Sequence, residues 1–415
     1  MLHSSLGFHT MTLFTSLCSN DVARLIQDLH KYSKNTGNIR MFHVDGKGTH
    51  SDYHPADGTT SPLPTNLKIR YCKDNIGIKW DITFNNWDSN FQSYIIKATI
   101  NPKILSGIPD YITAATYHDM GAAITNFNHE AKRISPLLKS FKDYKLNRLD
   151  YCLNFDLKEL SPGCDYQQII SLIKSGNIPP HFQEWTVYDS SAHRKKSRPE
   201  SFYLYNSSTT LNCYSKYMQL QNQTLENEQK VYPPVPLTTL DAAHDIIRFE
   251  VQCKYSKMYN LSCKATQSGN SEYNKYSTLL SNEICTDIIE AYYNKTIGRG
   301  DWYSFQNALH IIKDQNYNIQ KETRLIDALR SVSRHHGIPK ALSSYQGCEL
   351  KSFKQTLNEL RSLNINPVTI PSDWDIPHIP NLLNTYYKKK QSELLHEPIM
   401  EDFFSKDYKI AFQKL

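Results

Sequence analysis

Alternating apolar and polar positions mark out the first half of the chain. "FHTMTLF" (8–14) is a short β-like run, and "NDVARLIQDLH" behind it sets Val22, Leu25, Ile26 and Leu29 at helical spacing, with Asn20 as a cap. "NLKIRYC" (66–72) and "GIKWDITF" (77–84) alternate on either side of a turn at Lys73–Ile76, which predicts a hairpin. "SYIIKATINPKIL" (93–105) begins as a strand that Pro102 ends, and a helix is expected over roughly 119–140 with Asp119 as its cap. Residues 44–66, rich in Gly, Asp, His, Ser and Pro, read as a long loop.

Three later strands are more informative. "RLDYCLNFDL" (148–157) sets Leu149, Tyr151, Leu153, Phe155 and Leu157 against Arg148, Asp150, Cys152, Asn154 and Asp156. "IIRFEVQCKY" (246–255) sets Ile247, Phe249, Val251, Cys253 and Tyr255 against Arg248, Glu250, Gln252 and Lys254. Between them, "TLNCYSK" places Tyr214 on the even positions with Asn212 and Lys216. "YQQIISLIK" (166–174) predicts a helix. From about 280 the period becomes helical in "EICTDIIEAYY", "DWYSFQNALHII", "ETRLIDALRSV" and "ELKSFKQTLNEL", and the Pro-rich "NPVTIPSDWDIPHIP" (366–380) reads as extended. The pattern predicts an α+β fold: an antiparallel-rich central sheet with flanking helices over 1–275, then a smaller helical domain over 276–415.

Composition narrows the class. The 415 residues are 39% hydrophobic and 21% charged, as in a soluble globular protein, and no window approaches the roughly 18 uninterrupted apolar residues of a membrane span. No Lys or Arg precedes Arg24, so a secretory signal is not expected, nor is a membrane partner. Nine scattered cysteines without a C-x-x-C pair suit a reducing cytoplasm and offer no zinc-ligand spacing. A net charge of +6 permits a polyanionic partner without demanding one. Its local concentrations are "HRKKSR" (193–198) and "YYKKK" (386–390), each of which also suits a solvated loop or helix end.

A sheet with one face in water also alternates in this way. Such a face favours Thr, Lys and Glu, however, whereas these strands carry Arg-x-Asp, Asn-x-Tyr-x-Lys and Arg-x-Glu-x-Gln-x-Lys. Phosphodiester transesterification wants those types together. A phenol with a pKa of about 10 is a weak nucleophile at neutral pH and must meet an electrophile already polarised by a cation. Two carboxylates, Asp150 and Glu250, can hold a divalent ion through oxygen. Lys216 can stabilise the phenolate or the phosphoryl oxygens.

"NRLDYCLNFD", "TLNCYSKYMQLQ" and "IIRFEVQCKY", in this order, resemble the replication-initiation endonucleases of filamentous phages, the gene II type, and the related rolling-circle plasmid initiators. "IKATINPKILSG" (96–107) is similar to the strand and Pro-Lys segment those phage proteins carry upstream. The likeness spans roughly residues 8 to 260. It implies a nicking and joining enzyme in which Tyr214 attacks one strand at an origin, leaving a 5′-phosphotyrosyl bond and a free 3′-OH, and later rejoins the strand. It further implies that Lys216 supports the tyrosine and that Asp150 and Glu250 belong to the metal face with Mg²⁺ or Mn²⁺. Where plasmid relatives carry an Asp in the first strand, this chain has His9, and imidazole makes Mn²⁺ more plausible. The His-hydrophobe-His motif of the broader superfamily is absent: "RHHG" (334–337) and "DYHPA" (52–56) do not fit it.

Phosphate contacts are expected from Arg148, Arg248 and Lys254, and from Arg194, Lys195 and Lys196 in the basic run before the tyrosine strand. Tyr217 is a second candidate nucleophile only if a helix starts at Tyr214, since on an extended strand it faces away. Tyr203 and Tyr205 are expected to pack. The implied partners are single-stranded and supercoiled origin DNA and a host replicative helicase and polymerase, in a bacterial cytoplasm. A non-catalytic origin-binding regulator and a metal nuclease that uses water are the rival readings.

Overall fold

The computed structural model describes residues 4–45, 50–53, 63–85, 93–108, 110–189, 194–196, 201–229, 235–267 and 279–396. Strands β1 (Leu6–Cys18), β2 (Ile39–Val44), β3 (His50–Asp52), β4 (Asn66–Tyr71), β5 (Ile78–Asn85), β6 (Ser93–Ile100) and β7 (Lys145–Asp156) form the first part of the sheet. They are followed by β8 (Gln183–Glu184), the pair β9 (Val187–Asp189) and β10 (Arg194–Lys196), β11 (Ser201–Tyr205), β12 (Thr209–Ser215) and β13 (Ile246–Lys254). One eleven-stranded sheet runs β3-β2-β4-β5-β6-β1-β7-β13-β12-β11-β8, with β9 and β10 as a separate hairpin. Every neighbouring pair in the sheet is antiparallel. The fold is α+β.

Alternation decides which face packs. Ile78, Trp80 and Ile82 of β5, Leu149, Tyr151 and Leu153 of β7, and Phe249 and Val251 of β13 join one core. Helices cover it: Val22, Leu25 and Leu29 from Ser19–Thr36, Phe127 from Asp119–Ile134, Ile169 and Ile170 from Tyr166–Lys174, and Cys285, Ile289 and Tyr293 from Asn282–Thr296. Trp80 and Phe127 lie 5.4 Å apart by ring centroids, and Tyr293 packs on both Phe155 (5.9 Å) and Phe249 (5.6 Å). Each such fully buried side chain contributes about 1.5–3 kcal/mol of transfer free energy. The nine cysteines are free, and buried Cys213, Cys253 and Cys285 serve as small apolar fillers within this core.

The later helices include Phe305–Asp314, Ile319–Arg334 and Gly347–Ser362. Because Asn282–Thr296 packs on the sheet, apolar contact is continuous across the boundary expected at 275/276, which itself lies outside the described residues. The helix expected over 119–140 stops at Ile134, because Ser135 precedes Pro136 and takes an extended conformation. Asn20 is not a cap: the first helix begins at Ser19. The loop expected over 44–66 contributes β3, which pairs with β2, and the extended segment near 370 contains a short 3-10 turn at Ser372–Trp374. Among the described residues no helix is long and apolar enough to cross a membrane.

Candidate active site

β13 lies between β7 and β12, and its register sets the polar face of the sheet. Glu250 is directly opposite Asn212 on one side and Cys152 on the other. Arg248 is opposite Tyr214 and Asn154, and Gln252 is opposite Thr210 and Asp150. Directly opposed residues of an antiparallel pair share a face, so Tyr214 stands on the same side as both acids. The β1–β7 register supplies one more group. Phe8 pairs with Tyr151 and Met11 with Leu149, leaving His9 and Thr10 to face the single residue Asp150. This bulge turns the imidazole towards the acids while Phe8 and Met11 stay in the core.

The result is a compact cluster. One ligand-capable atom each from His9, Asp150 and Glu250 lies within 4.8 Å of the others. His9 Nδ1 is 2.6 Å from Glu250 Oε2, and the Tyr214 hydroxyl donates to the same oxygen at 3.3 Å. Gln252 donates to Glu250 Oε1 at 2.7 Å, and Arg148 to Asp150 Oδ2 at 2.8 Å. Asp150 Oδ1 is buried without a hydrogen-bond partner. Orphaned buried carboxylate oxygens are costly, and two carboxylates with an imidazole are a donor set that fits Mn²⁺ or Mg²⁺.

A strap closes one end of this face. The Ile112 carbonyl accepts from Asn154 (2.6 Å) and from Arg248, while Ser5 Oγ accepts from Asn154 and from the Ala114 amide. Phe8 and Ala115 exchange backbone bonds of 2.7 and 2.9 Å. Gly7 is required there, since a Cβ would sit 2.0 Å from the Ala115 carbonyl oxygen. Ile112 also packs with Leu220, Val235, Ala243 and Ile246 in a second apolar cluster. These covers explain why charged groups on an outward strand face are buried.

Burial sets the electrostatics. It raises the Asp150 carboxyl to about 8, helped by the Glu250 charge and opposed by Arg148. Burial opposes the Glu250 charge too, but His9, Gln252 and Arg248 outweigh it and hold that carboxyl at about 2. Burial and Arg248 push the His9 imidazole down to about 4, although its side chain is 20% exposed. The two groups share one proton across 2.6 Å, so at neutral pH Glu250 is ionised and neutral His9 donates to it. Burial, then Glu250, raises the Tyr214 phenol well above 10, with Arg248 working the other way.

The basic residues lie in different settings. Lys216 does not continue β12: Ser215 Oγ accepts from the Met218 amide, and the helix Lys216–Gln229 begins there. Lys216 is buried, donates to Gln219 at 2.8 Å, and is pushed well below its usual pKa by burial and then by Arg248. Arg248 is wholly buried, donates to Asn154 at 2.7 Å, and keeps Nη1 without a partner. Arg148 is 34% exposed at the open end of the face, and Lys254 donates to the Asn206 carbonyl at 2.9 Å. Arg194, Lys195 and Lys196 form β10, and their side chains lie outside the described residues. Tyr217 is turned to His244, 5.3 Å between rings, and away from the acids.

Tyr203 and Tyr205 are not core residues. Phe202 and Leu204 occupy that role, and the two tyrosines share the polar face with Asn212 and Thr210. Asn154 and the Ile112 carbonyl were not foreseen as parts of the site. Asn154 stood in the polar pattern of its strand, whereas a backbone carbonyl leaves no sequence signal.

No protein-family model matches the chain, and no curated protein does. Among solved structures, the rolling circle replication initiator protein from Geobacillus stearothermophilus aligns over 69% of this chain and 96% of its own, with 7% identity and a TM-score of 0.27. A likeness at that level carries no argument about fold or activity.

Proposed function

We propose that this protein is a metal-dependent DNA nicking and joining enzyme that initiates rolling-circle replication, with Tyr214 as nucleophile. The observation that carries the reading is the convergence of His9, Asp150 and Glu250 within 4.8 Å with the Tyr214 hydroxyl on Glu250. In this reading the phenol oxygen bonds to phosphorus, the bond from phosphorus to the 3′ oxygen breaks, and that oxygen leaves as a 3′-OH by taking a proton from solvent. Ionised Glu250 Oε2 accepts the phenolic hydrogen bond and orients the hydroxyl, and the phenolic proton leaves to solvent as the bond to phosphorus forms. His9, Asp150 and Glu250 would hold a divalent cation, which neutralises phosphate oxygens when bound. Arg148 at the open end attracts the phosphate, while Arg248, held on the Ile112 carbonyl of the strap, adds positive potential. The phosphotyrosyl linkage keeps the bond energy for rejoining.

Residues 1–275 would carry nicking, and 276–415 would brace the sheet and contact duplex origin DNA or a host helicase. A host polymerase would extend the 3′ end in the bacterial cytoplasm. One observation favours a second reading, a metal nuclease using water: the Tyr214 phenol is buried and its pKa is raised. Incubating the chain with labelled single-stranded DNA from its own replicon and Mn²⁺ separates the two. A covalent adduct that is lost in Tyr214→Phe is expected; cleavage without an adduct in either protein overturns the nucleophile assignment.

A further inference from the structure

We propose that Trp185, Tyr203 and Tyr205 form a ledge on which unpaired bases stack, so that the substrate is an unstacked single strand; this rests on the nicking reading. Trp185 follows edge strand β8 and is 42% exposed, a large aromatic surface left in water. Its ring lies 6.0 Å from Tyr203, which lies 6.5 Å from Tyr205, so three rings line one edge of the sheet. The alternation of β11 turns both tyrosines to the polar face, while Phe202 and Leu204 enter the core.

The register ties this edge to the candidate site. Tyr203 is opposite Asn212, which is opposite Glu250; Tyr205 is opposite Thr210, then Gln252, then Asp150. At two strand spacings, the tyrosines of β11 stand about 10 Å from the Glu250 column. Arg148 of β7, 34% exposed, donates to Asp150 on this same face. β9, the first strand of the hairpin whose second strand is Arg194–Lys196, begins just after Trp185. Aromatic faces in a row on the same sheet face as the His9, Asp150 and Glu250 cluster fit a nucleic acid strand better than an apolar peptide or a lipid surface. Duplex DNA hides its base faces and gains nothing from such a ledge.

The test needs neither metal nor cleavage. The Tyr214→Phe chain in EDTA is titrated with a fluorescent oligothymidine and, separately, with a duplex of equal length. Trp185→Ala and Tyr203→Ala are each expected to weaken single-strand binding about tenfold and to leave duplex binding unchanged. Trp185→Phe and Tyr203→Phe, which retain a ring, should restore affinity to within about twofold. Single-strand affinity unchanged in the alanine variants, or an equal loss on duplex, overturns the ledge, as does the absence of any single-strand binding. Failure of the nicking reading would show instead as no covalent adduct in the metal-containing reaction, with this titration unaffected.

Discussion

Glu130 and Glu250 are both buried carboxylates that accept a phenolic hydrogen bond, yet their surroundings differ. Glu130 accepts from Tyr32 at 2.7 Å and Tyr71 at 3.0 Å on one oxygen and from Arg133 at 3.0 Å on the other. Every partner there is a donor, and together they tie the first helix, β4 and the third-quarter turn of Asp119–Ile134 into one packed unit. Glu250 also accepts only from donors, His9, Tyr214 and Gln252, but it stands within 4.8 Å of a second acid, Asp150, which keeps an orphaned oxygen. A carboxylate used for cohesion closes its hydrogen bonds; one paired with a like charge stores a cost that a cation can relieve.

The comparison is broken most directly at the phenols. Tyr214→Phe should lower covalent adduct formation on the order of 10⁴-fold or more, whereas Tyr32→Phe should leave it within about twofold, as gel shift of labelled DNA will show. Equal losses in both would mean that the two sites are alike. Metal supplies the next contrast. Saturating Mn²⁺ should raise the melting temperature, since about a hundredfold excess over Kd corresponds to about 2.7 kcal/mol. Asp150→Asn should abolish that rise, and Glu130→Gln should retain it.

Without metal, above about pH 8 where Asp150 is ionised beside Glu250, the same Asp150→Asn substitution should stabilise the chain by about 1 kcal/mol, because it removes a buried like charge. Denaturant titration in EDTA will read it, and a loss of stability would refute the like-charge account. A further effect concerns alkaline pH. Burial and Glu130 raise the Tyr32 phenol to about 12. Its unfolded value is near 10, so the folded chain holds that proton more tightly. The contribution is complete below about pH 10 and is lost as pH rises to 12. Tyr32→Phe should flatten that decline.

Much of the sheet was legible because β7 and β13 repeat with a strict two-residue period that puts Leu149, Tyr151, Phe249 and Val251 on one side. The same period brought Asp150, Glu250 and Tyr214 into view as candidates, and their spatial convergence follows from strand order, which local pattern does not encode. His9 is a different case. Alternation alone does not foretell the extra residue opposite Asp150, and only the family resemblance singled it out. Lys216 was misread as strand because the period of β12 runs one residue past its end; the Ser215 cap and the Gln219 partner belong to helical spacing. Tyr203 and Tyr205 were assigned to packing although "SFYLY" already alternated, with Phe202 and Leu204 as its inward residues. Trp185 follows a two-residue strand, too short for any period to register.

The extra residue in the first strand has a consequence for how this protein can diversify. Because His9 and Thr10 together oppose one partner residue, position 9 is released from the rhythm that locks Phe8 and Met11 inward. In the proposed cation site, exchanging its side chain for a carboxylate or an amide would retune ion preference while the interior stays as it is. Selectivity and foldedness are thereby separable at a single codon.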